Sequence, residues 1–206
     1  MSQGAASAAV VSVGNELLFG ETLDTNAAWL GRKLATLGIS VVRGYTVGDV
    51  AEDVGWAVRE AIQVADLVLV TGGLGPTPDD LTKVAVADVL GRDLVVDDRV
   101  RESLQERYRE QGMEDVPPAA YDQAYVLAGS DPLHNAEGTA PGIFLRSDET
   151  MIVLLPGVPR ELEDIVSGSL LPHLERLQRN ASDRVRHHVI HTTGIAESRL
   201  TALVEE

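Results

Sequence analysis

The chain contains no cysteine. A disulfide framework, a thiolate zinc or iron–sulfur centre and a thiol nucleophile are therefore excluded. The absence fits a reducing compartment, and the cytoplasm is the expected location. Aromatic residues make up only 4% of the chain, which leaves Ala, Val and Leu to do most of the packing. Positive charge is scarce as well: 17 Lys and Arg stand against 32 Asp and Glu, a net charge of −15. That balance disfavours nucleic acid and anionic membrane as direct partners, because both need a basic surface. No segment approaches the roughly 20 apolar residues of a membrane-spanning helix. Residues 1–9 carry no basic region and run directly into a strand, so they read as a short flexible lead and not as a signal peptide.

Several familiar loops are missing too. No Lys-Ser or Lys-Thr follows the glycines at Walker A spacing, Gly-x-Gly-x-x-Gly is absent, and no serine sits in Gly-x-Ser-x-Gly. Covalent catalysis has no visible candidate. The five histidines carry little information; His187, His188 and His191 lie on a β-like segment without a carboxylate partner at motif spacing. Metal-assisted hydrolysis or simple binding is what remains.

What is present is a β-α-β-α-β rhythm, which argues for a parallel sheet. Strands are expected at 8–13, 39–43 and 67–70. Between them, one helix buries Ala27, Leu30, Leu34 and Leu37 and stops at Gly38, and a second buries Val54, Val58, Ala61 and Ile62. A third helix is expected to start near Asp79 or Asp80, to carry Leu81, Val84, Ala85 and Val89, and to end at Gly91. Residues 97–111 read as a charged helix, 112–120 as loop, and 123–128 as a short strand or turn. Two strands at 143–146 and 151–155 look like a hairpin that makes the sheet mixed. A helix follows from about 160 to 171, with a turn or two more towards 178. Residues 179–183 read as a linker, 185–192 as β-like, and 196–206 as a helix in which the chain stops.

The stretch Asp66-Leu-Val-Leu-Val-Thr71 empties into Gly72-Gly-Leu-Gly-Pro-Thr-Pro-Asp-Asp-Leu-Thr82. Gly72, Gly73 and Gly75 allow close approach of backbone to a ligand, and Thr71 and Thr77 add hydroxyl donors. Asp79 and Asp80 would repel a phosphate unless a hard cation such as Mg²⁺ lies between. The bland alternative is a tight turn with a plain helix cap. Three more loops sit where ligands bind in an open parallel sheet: Gly14-Asn-Glu16, Thr46-Val-Gly-Asp49 and Pro156-Gly-Val-Pro-Arg-Glu161. Asp49 is a further carboxylate for the metal or a simple turn residue, and Glu161 contributes to the pocket or only to a helix dipole. The loop Asn135-Ala-Glu-Gly-Thr-Ala-Pro-Gly142, with Gly138 and Thr139, offers further backbone donors or serves only as a hairpin approach.

At these residues the chain resembles the CinA family of competence/damage-inducible proteins, whose N-terminal domain is similar to the molybdopterin-binding domain. Six spaced motifs carry the resemblance, in family order: Gly14-Asn-Glu-Leu-Leu-Phe-Gly20, Asp24-Thr-Asn26, Thr46-Val-Gly-Asp49, 71–82, Gly138-Thr-Ala-Pro-Gly142 and Leu155-Pro-Gly-Val-Pro159. It implies an α/β fold: a three-layer α/β/α sandwich with a mostly parallel sheet and an antiparallel edge strand. It also implies a metal-dependent ADP-ribose pyrophosphatase activity for residues 8–178, with 184–206 the start of a connector that resembles the family's at Thr193-Gly-Ile-Ala-Glu-Ser198. Many members add a serine-dependent nicotinamide mononucleotide deamidase domain, which a chain of this length has no room for, and that label is not transferred. Family members commonly carry basic residues just before Gln-Ala; here Tyr121 and Asp122 precede Gln123-Ala124. Position 15 is Asn where Thr is common.

The expected function is hydrolysis of the pyrophosphate of ADP-ribose or a related nucleotide diphosphate sugar. Asp49 and Asp80, with Asp79 and Glu16 as further candidate ligands, hold the divalent ion; the backbone of 72–77 cradles the diphosphate; and Asn15 with Pro156, Gly157 and Glu161 orients the rest. A non-catalytic binding module for a nucleotide or pterin, and an interaction protein in competence or DNA damage, are the alternatives. The family is commonly dimeric, and helix 97–111 with the loop after it is a candidate homodimer interface.

Overall fold

A computed structural model describes residues 6–113, 115–147, 150–177, 192–195 and 199–200. The β-like stretch expected at 185–192, the helix expected at 196–206 and His187, His188 and His191 therefore lie outside the described residues, apart from positions 192 and 199–200.

The central sheet has six strands in the order β2-β1-β3-β8-β7-β6. β1 (Ser7–Val13), β2 (Ser40–Val47), β3 (Leu67–Thr71) and β8 (Thr150–Leu155) run parallel, while β7 (Gly142–Ser147) pairs antiparallel with β8. The expected hairpin is thus present. The edge itself is a three-residue strand that sequence periodicity is too short to reveal, β6 (Asp131–Leu133), antiparallel to β7. A second short pair, β4 (Leu94–Val96) with β5 (Tyr125–Leu127), lies apart from the main sheet.

Strand side chains alternate between two cores. Val11, Val70, Ile152 and Leu154 join Val54, Val58 and Ala61 of α3 (Ala51–Val64), Val86 of α4 (Thr82–Leu90), and Val100 and Leu104 of α5 (Asp98–Glu110) on one side. Val10, Leu69, Val153 and Leu155 pack on the other against Leu30 and Leu34 of α2 (Thr25–Thr36). The same core takes Leu162 and Ile165 of α6 (Pro159–Ile165) and Leu174 of α7 (Leu171–Glu175). The result is the three-layer α/β/α sandwich. β3 is buried at every position because layers cover both its faces.

Two helices begin as their sequence dictates: Asp24 caps α2 by accepting from Ala27 N–H at 2.8 Å, and Asp97 caps α5. A one-turn helix, α1 (Asn15–Leu18), occupies the expected loop after β1. The helix from 159 is continuous to 175 but passes through a π-turn at Val166–Leu170, which keeps both Val166 and Leu170 in the core. Among the described residues no helix is long and apolar enough to cross a membrane.

The third helix corrects the sequence expectation. α4 starts at Thr82 with Leu81 as its cap residue, so Asp79 and Asp80 stand in the preceding loop. Val84 is exposed and Thr82, Lys83, Ala85, Val86 and Ala87 are buried. The helix is short and apolar nearly all round, so periodicity alone misplaces its inner face.

Leu69→Ala removes a fully buried side chain from the central strand. It is expected to lower unfolding free energy by about 2–5 kcal/mol, measured by urea denaturation.

Candidate functional site

The parallel strands all end at one edge of the sheet, and their exits build a cleft of about 430 Å³. At the end of β3 the chain turns at Gly72, with φ of 102°; a Cβ there would collide with the carbonyl oxygen of Val13 on β1. Only glycine lets the two strand exits sit this close. Gly72 N–H donates to Leu155 O and Gly14 N–H to Val47 O, each at 3.0 Å, so the strands stay in step beyond their last ladder pairs.

A buried side chain locks two of these exits to a helix. Asn26, in the first turn of α2, donates through Nδ2 to Thr71 Oγ1 at 3.1 Å and to Gly157 O at 2.8 Å. Thr71 Oγ1 donates in turn to Pro156 O at 3.0 Å. The Thr71 hydroxyl is therefore a structural donor beneath the cleft and not the ligand donor expected from the sequence. Asn15 also has a supporting role. Its N–H donates to Asp49 Oδ2 at 3.0 Å and its Oδ1 accepts from Asp49 N–H at 3.4 Å, a reciprocal bracket that fixes Asp49 at the mouth.

The glycine loop is closed by its own acid. Asp80 Oδ2 accepts from Thr77 N–H at 2.8 Å and from Thr77 Oγ1 at 2.6 Å. This explains why Asp80 does not cap α4: the carboxylate points back into the loop, and Thr82 Oγ1 donates to Gly72 O at 2.8 Å from the helix side. With Gly72 and Thr77 engaged, the N–H groups of Gly73, Leu74 and Gly75 have no protein acceptor among the described residues. All three residues line the cleft.

The acidic side chains share the same space. Glu16, Asp49, Asp79 and Asp80 line it, as do Gly72, Thr77, Thr139 and the exit Pro156, Gly157 and Glu161. The structure thus gathers most of the expected site; Asn15 and Thr71 stand behind it, and Gly138 lies against the Glu161 carboxylate, where a Cβ would clash. Among the described residues no three Asp, Glu or His side chains form a ligand set for a metal. Mg²⁺ is typically held by one or two carboxylates plus substrate phosphates; in this cleft Asp49 and Asp80 are the carboxylates that would hold one.

Four residues escaped sequence reasoning. Asn26 stood in a quoted motif but had no assigned role. Arg107 of α5 donates to the carbonyls of Asn135, Ala136 and Gly138 at 3.2, 2.7 and 2.5 Å. It clamps from outside the loop that Asn135 knits from within, through Nδ2 bonds to Ala140 O at 2.7 Å and to Glu161 Oε2 at 2.9 Å. Lys83 is buried and donates to Asp122 O at 2.5 Å. Burial lowers its pKa to about 8, against the upward pull of Asp122 and Asp80. Gln123 lines the cleft. Only long-range contacts define these roles, and local pattern does not carry them.

The family described as "Probable molybdopterin binding domain" matches residues 9–176. The chain is 43% identical over 192 residues to a CinA-like protein of Gemmatimonas aurantiaca, covering 93% of this chain and 45% of that protein. It is 40% identical over 204 residues to a CinA-like protein of Frankia casuarinae, covering 97% and 47%. The chain thus spans less than half the length of these two curated relatives. A crystal structure of the protein CinA from Thermoplasma acidophilum superposes with a TM-score of 0.77 at 38% identity, over 82% of this chain and 98% of that one. The tungsten cofactor synthesizing protein MoaB from Pyrococcus furiosus shares the fold at 19% identity, with a TM-score of 0.54 over 87% and 100%.

Asn26→Ala is expected to cost about 1–3 kcal/mol by equilibrium denaturation, because it strips buried oxygens of their donor. Lys83 carries a pH signature. Its ammonium titrates near 10.5 when unfolded and near 8 when folded, so between those values the unfolded chain binds more protons and stability rises with pH. Lys83→Met is expected to gain most below pH 8, with the gain over wild type shrinking towards pH 10.5 in a denaturation series.

Proposed function

The chain belongs to the molybdopterin-binding-domain family and, within it, to the CinA proteins; on that premise we propose that it hydrolyses the pyrophosphate of ADP-ribose or a related nucleotide diphosphate sugar, with a divalent cation. One observation supports this reading above the others. Gly73, Leu74 and Gly75, whose three consecutive amides have no protein acceptor among the described residues, line the same cleft as Asp49, Asp79 and Asp80. Successive free N–H groups favour an anion. Carboxylates beside an anion favour a cation that both can share.

The amides of 73–75 hold diphosphate oxygens, and Asp49 and Asp80 hold the cation, with exposed Asp79 beside them. When bound, the cation supplies charge neutralisation on the diphosphate and lowers the pKa of a water. The Asn15 bracket keeps Asp49 in place, and the Thr77 contacts keep Asp80 in place. The loop carrying Thr139 and the exit carrying Glu161 close the far wall. The oxygen of water bonds to one phosphorus, the bridging P–O bond breaks, and AMP and ribose 5-phosphate leave. The proton passes to the cleft carboxylates and then to solvent.

A second reading, a pterin or nucleotide binding module without turnover, draws on the absence of a three-residue ligand cluster among the described residues. One experiment separates the two. Folded protein incubated with ADP-ribose and Mg²⁺, Mn²⁺ or Co²⁺ is expected to release AMP, and Asp80→Asn to lower kcat/KM by about 100-fold. Recovery of intact ADP-ribose with every ion, together with tight calorimetric binding, would replace hydrolysis by the binding role.

A further inference from the structure

The sheet edge is low where the cleft crosses it. Gly14, Gly72 and Gly157 stand at the exits of β1, β3 and β8, and none carries a side chain above the strand ends. Leu74 of the glycine loop packs with α3 and α4 on one face of the sheet, while α2 and α6 cover the other. On the α2 face a second hollow of about 90 Å³ opens from the cleft, and Val13, Glu16 and Gly157 line both. The two spaces meet over the strand ends, so one extended ligand can reach from the glycine loop into the hollow.

The hollow differs from the cleft in chemistry. Acids and free amides wall the cleft. Leu17, Leu23 and Pro159 are among the walls of the hollow. Buried Asn26 and Thr71 also line it, but their polar groups are already bonded to one another and to the carbonyls of Pro156 and Gly157. Leu23 is 83% exposed. A large apolar side chain left open beside a ligand cleft gains when flat apolar surface covers it. Three polar residues line the hollow as well, Thr22, Asp24 and Thr25. Asp24 caps α2 through Oδ1 and keeps Oδ2 without a protein donor, and the hydroxyls of Thr22 and Thr25 have no protein partner among the described residues. A carboxylate accepts and a hydroxyl both donates and accepts, so this set can meet the donors and the acceptors of a heterocycle edge.

We propose that this hollow is the base subsite of the nucleotide, with Leu23 as a specificity-determining contact against the face of the base. The inference rests on the cleft being a nucleotide diphosphate site, and it fixes which way the ligand lies. The diphosphate sits on the amides of 73–75, and the adenosine end crosses the strand exits to the α2 face. The residue at the junction suits that order. The Glu16 carboxylate lies over Gly14, where a Cβ would collide with it, and has no protein partner among the described residues. It repels a phosphate but accepts from hydroxyls, so the part of the ligand that belongs beside it is the neutral ribose between base and diphosphate. The base is the one flat, uncharged part of the ligand, and the hollow is the one space opening from the cleft with Leu17, Leu23 and Pro159 to receive it.

The test uses the full chain and two probes, the non-hydrolysable α,β-methylene analogue of ADP-ribose and methylenediphosphonate, each with Mg²⁺ in a calorimeter. Leu23→Ser removes the apolar contact from an exposed position, so its Tm without ligand is expected to match wild type. Its Kd for the analogue is expected to rise roughly 5-fold, while its Kd for methylenediphosphonate stays the same. Leu23→Met, apolar and of similar volume, is expected to bind both probes as wild type does. Phe19→Ser is the control: Phe19 is 73% exposed but does not line the hollow, and both Kd values are expected to hold. Unchanged affinity of Leu23→Ser for an analogue that wild type binds overturns the proposal and leaves the nucleotide reading intact. Equal losses for both probes, or the same loss in Phe19→Ser, assign the effect to the loop as a whole and overturn it too. A wild-type dimer in sedimentation that Leu23→Ser breaks, with both Kd values unchanged, gives this surface to a second copy of the chain and also overturns it. Folded wild type that binds neither probe removes the nucleotide reading itself, and the base subsite with it.

Discussion

The cleft depends on one buried carboxamide. β3 and β8 leave the sheet as neighbours, but their chains then diverge, one into the glycine loop and the other into α6. Ladder pairing ends at Thr71 and Leu155, and beyond it nothing in a parallel sheet dictates where the loops go. Asn26 supplies the missing constraint. Its Nδ2 spans Thr71 Oγ1 and Gly157 O, while the Thr71 hydroxyl reaches Pro156 O. Proline has no N–H to offer, so its carbonyl is the polar handle at that position. The network is buried, where each bond is worth more and each loss costs more than at the surface. It joins α2, β3 and β8 at the point where their backbones form the floor for a ligand.

Around this floor the walls are held by pairs of interactions that run in opposite directions. The Asn15–Asp49 bracket ties the exit of β1 to that of β2. Thr77 and Asp80 close the glycine loop on itself. Arg107 grips the 135–138 carbonyls from α5, while Asn135 holds the same loop from inside and meets Glu161. Two of these walls are thus positioned from an element other than the one that carries them, and the glycine loop is held from within. Apart from the amides of 73–75, many polar groups of this irregular backbone are matched locally, which lets loops of this length pack against a rigid sheet.

Much of this was legible in the sequence, and what was not has a common cause. The runs ending in Val13, Thr71 and Leu155 announce buried strands. The spacing of Leu30 with Leu34 and of Val54 with Val58 and Ala61 announces two helices, and Asp24 announces the cap of the first. Glycines and acids clustered at strand exits point to the cleft. β4 and β6, at three residues each, are too short to show a period of two, and they exist because a neighbour pairs with them. α4 conceals its inner face because almost every side of it is apolar, so buried Lys83 reads as an exposed charge. Asp80 reads as a cap because sequence order cannot tell whether a carboxylate reaches forward to a helix or back to Thr77. Asn26 and Arg107 act on partners many residues away, and one sequence gives no sign of such pairs.

The charge balance links the fold to the proposed chemistry. The molecule is strongly acidic, and its cleft is lined by carboxylates, which is a poor start for a diphosphate. The turn that holds Gln123 carries a further acid, Asp122, and adds no positive charge to offset the deficit. Lys83 answers part of it from below. It approaches the same turn through the carbonyl of Asp122 and lies within the electrostatic reach of Asp80. Its charge is expensive to bury, as the lowered pKa records, so α4 keeps it there against its own stability. Even so, one desolvated ammonium and three amides do not offset five carboxylates and a doubly charged ligand. Under the proposed function, neutrality at this cleft would come from a cation that arrives with the diphosphate, and a shared cation would let Asp49 and Asp80 favour the ligand instead of opposing it.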